Sequence, residues 1–84
     1  MDTEFYALRK RSRQIEPALR IGKHGITEQV CKHIDMLLKK QKLVKIKLLQ
    51  NCSVTPEEAI AAITKRNDAI VVDRIGLTFS LFKQ

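Results

Sequence analysis

The stretch Leu19-Arg20-Ile21-Gly22-Lys23-His24-Gly25-Ile26-Thr27-Glu28 decides how this chain is read. A short apolar run ending at Ile21 leads in. A helical periodicity leads out, with Val30, Ile34, Leu37 and Leu38 recurring at steps of three and four and Cys31 beside them. Two glycines thus stand at a strand-to-helix junction, with Thr27 placed to cap the helix. Glycine accepts a positive φ and a close approach by a ligand, and the first turn of a helix offers unpaired N–H groups at the positive end of its dipole. That combination suits a phosphate. Lys23 adds a fixed charge at the tip, and His24 a flat ring that can donate a hydrogen bond or stack on a base. A GxxG met alone is more often a tight turn than a site, so the surrounding sequence must decide between the two.

Upstream, Phe5, Leu8 and Ile15 with small Ser12 mark one face of a helix over residues 3–15. Arg9, Lys10, Arg11 and Arg13 lie around it, and Pro17 ends it. Arg9 and Arg13, four apart, share a stripe. Ala18 to Ile21 is then a short strand. Downstream of the glycines, Lys39, Lys40 and Lys42 gather at the end of the second helix, where its dipole favours cations, roughly 20 Å from the loop. Residues 43–49 alternate, with Val44, Ile46 and Leu48 against Lys45 and Lys47, the period of a strand with one covered face and one wet face. Thr55-Pro56-Glu57-Glu58 opens a third helix with a capping box, Ala59, Ile60 and Ile63 form its buried stripe, and Asn67 is its expected stop. Residues 69–75 and 77–83 are two β-rich runs joined at Gly76, which suits a type II′ hairpin.

The order helix, strand, helix, strand, helix, strand, strand predicts an α/β fold of two layers, α-β-α-β-α-β-β. Its parallel crossovers and closing hairpin give a mixed four-stranded sheet. Eighty-four residues with 44% apolar content make one domain, residues 1–84.

Sixteen Lys and Arg against nine Asp and Glu give a net charge of +7. Residues 1–47 hold twelve basic and five acidic groups and residues 48–84 four of each, so the whole excess lies in the first part. A one-sided field on a small domain points to a polyanionic partner, above all nucleic acid. With only Phe5, Tyr6, Phe79 and Phe82 as aromatics, a stacking sheet of the RNP type is not expected. No secretory signal or membrane-length apolar run is present, so a cytoplasmic protein with reduced thiols is expected. Cys31 and Cys52 are read as small apolar residues, the first packed and the second incidental in the turn of residues 51–54.

The residues that carry a resemblance run almost the length of the chain. They are Leu8, Arg9, Ser12, Ile15 and Pro17; then Ile21, Gly22, Lys23, Gly25, Ile26, Thr27 and Val30; then Leu43 to Lys47; and finally Val72, Ile75, Gly76, Leu81, Phe82 and Lys83. Together they resemble the YhbY-like CRM domain, named for chloroplast RNA splicing and ribosome maturation. The resemblance implies a fold like the C-terminal domain of translation initiation factor three with a KH-like GxxG loop. It also implies that a free-standing copy associates with precursors of the large ribosomal subunit. On that reading Gly22 and Gly25 let backbone N–H groups hold a sugar-phosphate chain, and Thr27 opens the helix beside them. Lys23 and His24 touch phosphate or base, and Arg9, Arg13 and Arg20 extend the positive surface. Two departures are present: the turn of residues 50–54 is brief where many bacterial members carry a longer acidic stretch, and Leu81-Phe82-Lys83 stands in place of Leu-Tyr-Arg. Both are expected to leave the loop untouched.

Two other classes compete. An Alba-type protein coating DNA or RNA shares the size and basicity, but the pattern as a whole matches CRM rather than Alba. An enzyme would have to draw on His24, His33, Cys31 and Cys52. Cys31 and His33, two apart on one helix, do not face the same way, and no metal-ligand spacing or nucleophile elbow is present, so neither catalysis nor a cofactor is expected. The first helix has few large apolar residues to insert into a membrane surface.

Overall fold

The computed structural model describes residues 3–83; Met1, Asp2 and Gln84, which the single-domain expectation includes, lie outside them. The elements are α1 (Thr3–Ser12), β1 (Leu19–Ile21), α2 (Glu28–Gln41), β2 (Leu43–Leu48), α3 (Pro56–Asn67), β3 (Ile70–Ile75) and β4 (Thr78–Phe82), in the expected order. The strands lie side by side as β1-β2-β4-β3. β1 and β2 run parallel, and β4 is antiparallel to both its neighbours, wedged between β2 and β3. The sheet is mixed, with β1 and β3 at its edges.

β2 is buried on both faces at its start, and this sets the layers. Val44, Ile46 and Leu48 join Phe79 and Leu81 of β4, Ile34 and Leu38 of α2, and Ala59 and Ile63 of α3 in the main core. Leu43 points the other way, and with Val72 and Leu8 forms a second, smaller cluster closed by Phe5, Ile15 and Phe82. α2 and α3 therefore cover one face, while α1 adds a partial layer on the other. Ser12, fully buried, lets α1 approach closely, and its hydroxyl donates to the Arg9 carbonyl at 2.7 Å.

α1 stops at Ser12, three residues before the end expected at 15. The amides of Arg13 and Gln14 bond to the carbonyls of Lys10 and Arg11, an i to i+3 tightening that unwinds the helix while leaving Ile15 on the second cluster. Thr55 and Glu58 form the expected capping box, at 2.9 and 3.2 Å. α3 ends at Asn67 as expected, with the left-handed residue one position later. Asp68 rather than Asn67 takes the left-handed cap at φ 54°, and buried Asn67 donates its amide to the Cys31 carbonyl at 3.0 Å, joining α3 to α2. In the hairpin, Gly76 has φ 58° and Leu77 is not left-handed, as a type II′ turn requires. Cys31 is buried as expected, but Cys52 is half-buried against the main core and so is not incidental.

One irregularity in the sheet bears on everything outside the main core. Val71 pairs with Leu81 but Asp73 with Ser80, so two residues of β3 span one step of β4, a β-bulge at Val72. Without it, Asp73 would fall opposite Phe79 and point into the main core. With it, Val72 and Asp73 both face α1. There the Asp73 carboxylate accepts from Arg9 Nε at 3.3 Å and from Arg13 Nε at 3.0 Å, with its own side chain 6% exposed. Burial alone would push its pKa up. The hydrogen bond and charge of Arg13, with the bond from Arg9, outweigh burial and hold it below the usual aspartate value, while Arg13 is raised in turn.

A carboxylate held ionised in this way stabilises the fold above its unfolded pKa of about 3.9, and that stabilisation is lost as pH falls through the lower folded value. Asp73→Asn should lower unfolding free energy at neutral pH by about 1–2 kcal/mol, less than for a fully buried pair because both guanidiniums are half in water. Denaturant titrations across pH should show the gap between variant and parent closing on acidification. Equal stabilities at neutral pH would contradict a structural role for the carboxylate.

Candidate nucleic-acid interface

The Gly22–Gly25 segment is a closed turn at the mouth of α2. The Gly25 amide donates to the Gly22 carbonyl at 3.0 Å, leaving Lys23 and His24 exposed at the two corners. The glycines are not equivalent. Gly25 is left-handed, φ 67°, and a Cβ there would meet Ser53 Oγ at 2.6 Å; Gly22 does not have positive φ, and a Cβ would make only ordinary contact with Leu49 and Asn51 at 3.6 and 3.7 Å. The expectation that both glycines serve backbone conformation therefore holds for Gly25 alone. At Gly22 neither the backbone nor the neighbouring side chains require glycine.

The same contacts correct a second expectation. Asn51, Ser53 and Val54 belong to the brief turn after β2, and they pack directly on the glycines. The departure from the family pattern at residues 50–54 is thus the floor of the loop.

Thr27 caps α2 as expected: its Oγ1 accepts from the Val30 amide at 3.1 Å, and its carbonyl accepts from Cys31 N at 3.0 Å. The Glu28 and Gln29 amides, in the first turn, have no acceptor within the helix. Thr27 Oγ1 acts here as the cap acceptor of α2. Glu28 would put a negative charge beside these amides, but it is paired with Arg66 of α3. A hollow of about 300 Å³ runs past Arg20, Gly22, His24, Gly25, Thr27 and Gln29.

The cations predicted upstream fall on the opposite face of the sheet from α2. Arg9 and Arg13 each spend Nε on Asp73, leaving their terminal nitrogens without a partner among the described residues. Strand register sets Arg20 beside Lys47, and Lys45 beside Ser80, which pairs in turn with Asp73. Arg20, Lys47 and Lys45 thus occupy the stretch of this face between the loop and the end of α1. A hollow of about 230 Å³ lies over it, lined by Lys45, Lys47, Thr78, Ser80 and Pro17 among others. Lys23, Lys45, Lys47 and Arg20 form no ion pair among the described residues. Lys45 and Lys47 were not among the sequence-predicted site residues. Their alternation on β2 was the available signal, and the parallel pairing that sets Arg20 beside Lys47 supplied the rest. Lys39 lies apart, paired with Asp35 at 3.5 Å.

The two glycines should separate in mutation. Gly25→Ala, facing both a left-handed backbone and Ser53, should cost about 1–3 kcal/mol, whereas Gly22→Ala should change stability by less than about 1 kcal/mol. Thermal or denaturant melts measure this, and equal losses would contradict the asymmetry.

Known proteins similar to this chain point to one family. A family model described as the CRS1 / YhbY (CRM) domain matches residues 1–83. The chain is 30% identical over 77 residues to a protein named probable RNA-binding protein YqeI, from Bacillus subtilis, covering 92% of this chain and 80% of that one. It is 32% identical over 78 residues to probable RNA-binding protein MJ0652 of Methanocaldococcus jannaschii, covering 90% of this chain and 58% of the archaeal one. The solution structure of the hypothetical protein SAV1595 from Staphylococcus aureus, put forward as RNA-binding, superposes with a TM-score of 0.79 at 29% identity, over 95% of this chain and 83% of that one. The chain belongs to the CRS1 / YhbY (CRM) domain family.

Proposed function

We propose that this chain is a non-catalytic RNA-binding domain that grips the sugar-phosphate backbone of ribosomal RNA, in precursors of the large subunit, during ribosome assembly in the cytoplasm. The observation that carries the reading is the exposed Lys23–His24 turn set at the capped start of α2, with open amides behind it and Arg20, Lys47 and Lys45, which form no ion pair among the described residues, leading away across the sheet. Backbone amides and a helix dipole hold a phosphate without regard to base, and the lysine and imidazole at the tip add charge and a hydrogen bond. The names of the bacterial and archaeal relatives support RNA as the polyanion. The resemblance to domains of ribosome maturation supports a ribosomal target. The Cys31 thiol speaks against catalysis: it is buried and desolvation raises its pKa, the reverse of an activated nucleophile. No helix among the described residues is long and apolar enough to cross a membrane.

The test reverses charge at the tip with Lys23→Asp and His24→Asp together, and uses Lys39→Asp with Lys40→Asp, at the far end of α2, as the control. Binding is titrated against a large-subunit ribosomal RNA fragment and, in parallel, duplex DNA of equal length. The tip variant should stay folded by circular dichroism and lose about 2–4 kcal/mol of RNA affinity, roughly thirty- to nine-hundred-fold, while the control loses far less. Equal losses in the two variants would leave only a general field. Equal binding of RNA and duplex DNA by the parent would favour a DNA-coating role of the Alba type.

A further inference from the structure

The outer face of α1 holds a group of side chains that the glycine loop does not use. Tyr6, Arg9, Lys10 and Arg13 fall at i, i+3, i+4 and i+7 and by themselves line a shallow hollow of about 370 Å³. Three are cations and the fourth is the chain's one tyrosine, 53% exposed although its neighbour Phe5 is tucked into the second cluster. Phe5 meets Tyr6 edge to face, ring centroids 6.4 Å apart and planes at 81°, which restrains the ring without covering it.

Asp73 fixes the two arginines from beneath. Both reach it through Nε, so the terminal guanidinium nitrogens keep donors for another acceptor. Lys10 has no ion-pair partner among the described residues. A half-exposed aromatic ring beside two held guanidiniums and an ammonium without an ion pair among the described residues is complementary to a nucleotide whose base is unstacked: the base lies on the ring and neighbouring phosphates meet the cations. A purely solvating helix face would account for the three cations, but not for a large aromatic kept exposed beside them.

We propose that Tyr6 is a stacking platform for one unpaired RNA base, with Arg9, Lys10 and Arg13 holding neighbouring phosphates of the strand. This rests on the reading of the chain as RNA-binding and adds to it a second contact, on the opposite face of the sheet from α2, that selects single-stranded RNA. It requires a flexible or unpaired strand, because a base inside a duplex has no free face to offer.

The chain contains one Tyr and no Trp, so its tyrosine emission reports on Tyr6 alone. Labelled oligouridylate is titrated by anisotropy while tyrosine emission is followed with the unlabelled strand, and both are repeated with the strand annealed to oligoadenylate. Quenching should saturate in step with anisotropy for the single strand and be absent for the duplex. Tyr6→Ala should weaken single-strand binding roughly five- to 150-fold, and Tyr6→Phe, which keeps the ring, should restore most of it. If the strand binds by anisotropy while emission is unchanged, or if Tyr6→Ala binds as the parent does, the platform is refuted and RNA binding stands. If neither strand nor duplex binds at all, the RNA reading itself fails and the platform with it.

Discussion

One extra residue in β3 determines what the second face of this sheet can be. The bulge at Val72 turns Asp73 away from the main core and toward α1, where its carboxylate engages Arg9 and Arg13 together. α1 has few other means of attachment: buried Leu8 and Ser12, with half-buried Phe5 and Ile15 at its margins. A helix with so small an apolar face would dock weakly by burial alone, and its crowd of cations would resist packing against Lys45 and Lys47. A single buried carboxylate offsets both difficulties. The same bond fixes the direction of two guanidiniums that would otherwise move freely in water, which reduces the entropy lost when they meet an anion.

The sequence made the elements legible because their signals are local. Thr55-Pro56-Glu57-Glu58 announces its helix with a capping box that the structure reproduces, and the alternation of Val44, Ile46 and Leu48 with lysines is the burial pattern of β2. Gly76 marked its hairpin by the φ it has to adopt. The misjudged features depend on pairing across the fold. A bulge is visible only once β3 and β4 are in register, so Asp73 gave no sign of its role. Asn67 ends its helix as its residue type suggests, but its amide bond to the Cys31 carbonyl and the left-handed cap at Asp68 are not legible locally.

The candidate site was legible to a similar degree and for a similar reason. Gly22 to Gly25 with a following Thr27 is a contiguous signal, and the structure places Lys23 and His24 at an exposed turn before a capped helix. That Gly25 alone is conformationally required, and that residues 51–54 form the floor beneath it, follow from the close approach of segments more than twenty-five residues apart in sequence. Lys45 and Lys47 could be assigned to a wet strand face from their period. Their alignment with Arg20 required the parallel register. The cations of the first part of the chain thereby differ in how far carboxylates engage them. Lys39 has a carboxylate partner and Arg9 and Arg13 share one, while Lys23, Arg20, Lys45 and Lys47 have none among the described residues.

The most direct test of the central claim, that RNA is held at the start of α2, is an amide-proton NMR titration of the protein with a single-stranded ribosomal RNA fragment. The account predicts the largest shift changes at the amides of residues 22–25 and of Glu28 and Gln29, with smaller ones along β2 at Lys45 and Lys47. Changes confined to the Lys39–Lys42 end of α2 and to α3, with the amides of residues 22–29 unmoved at saturation, would contradict it.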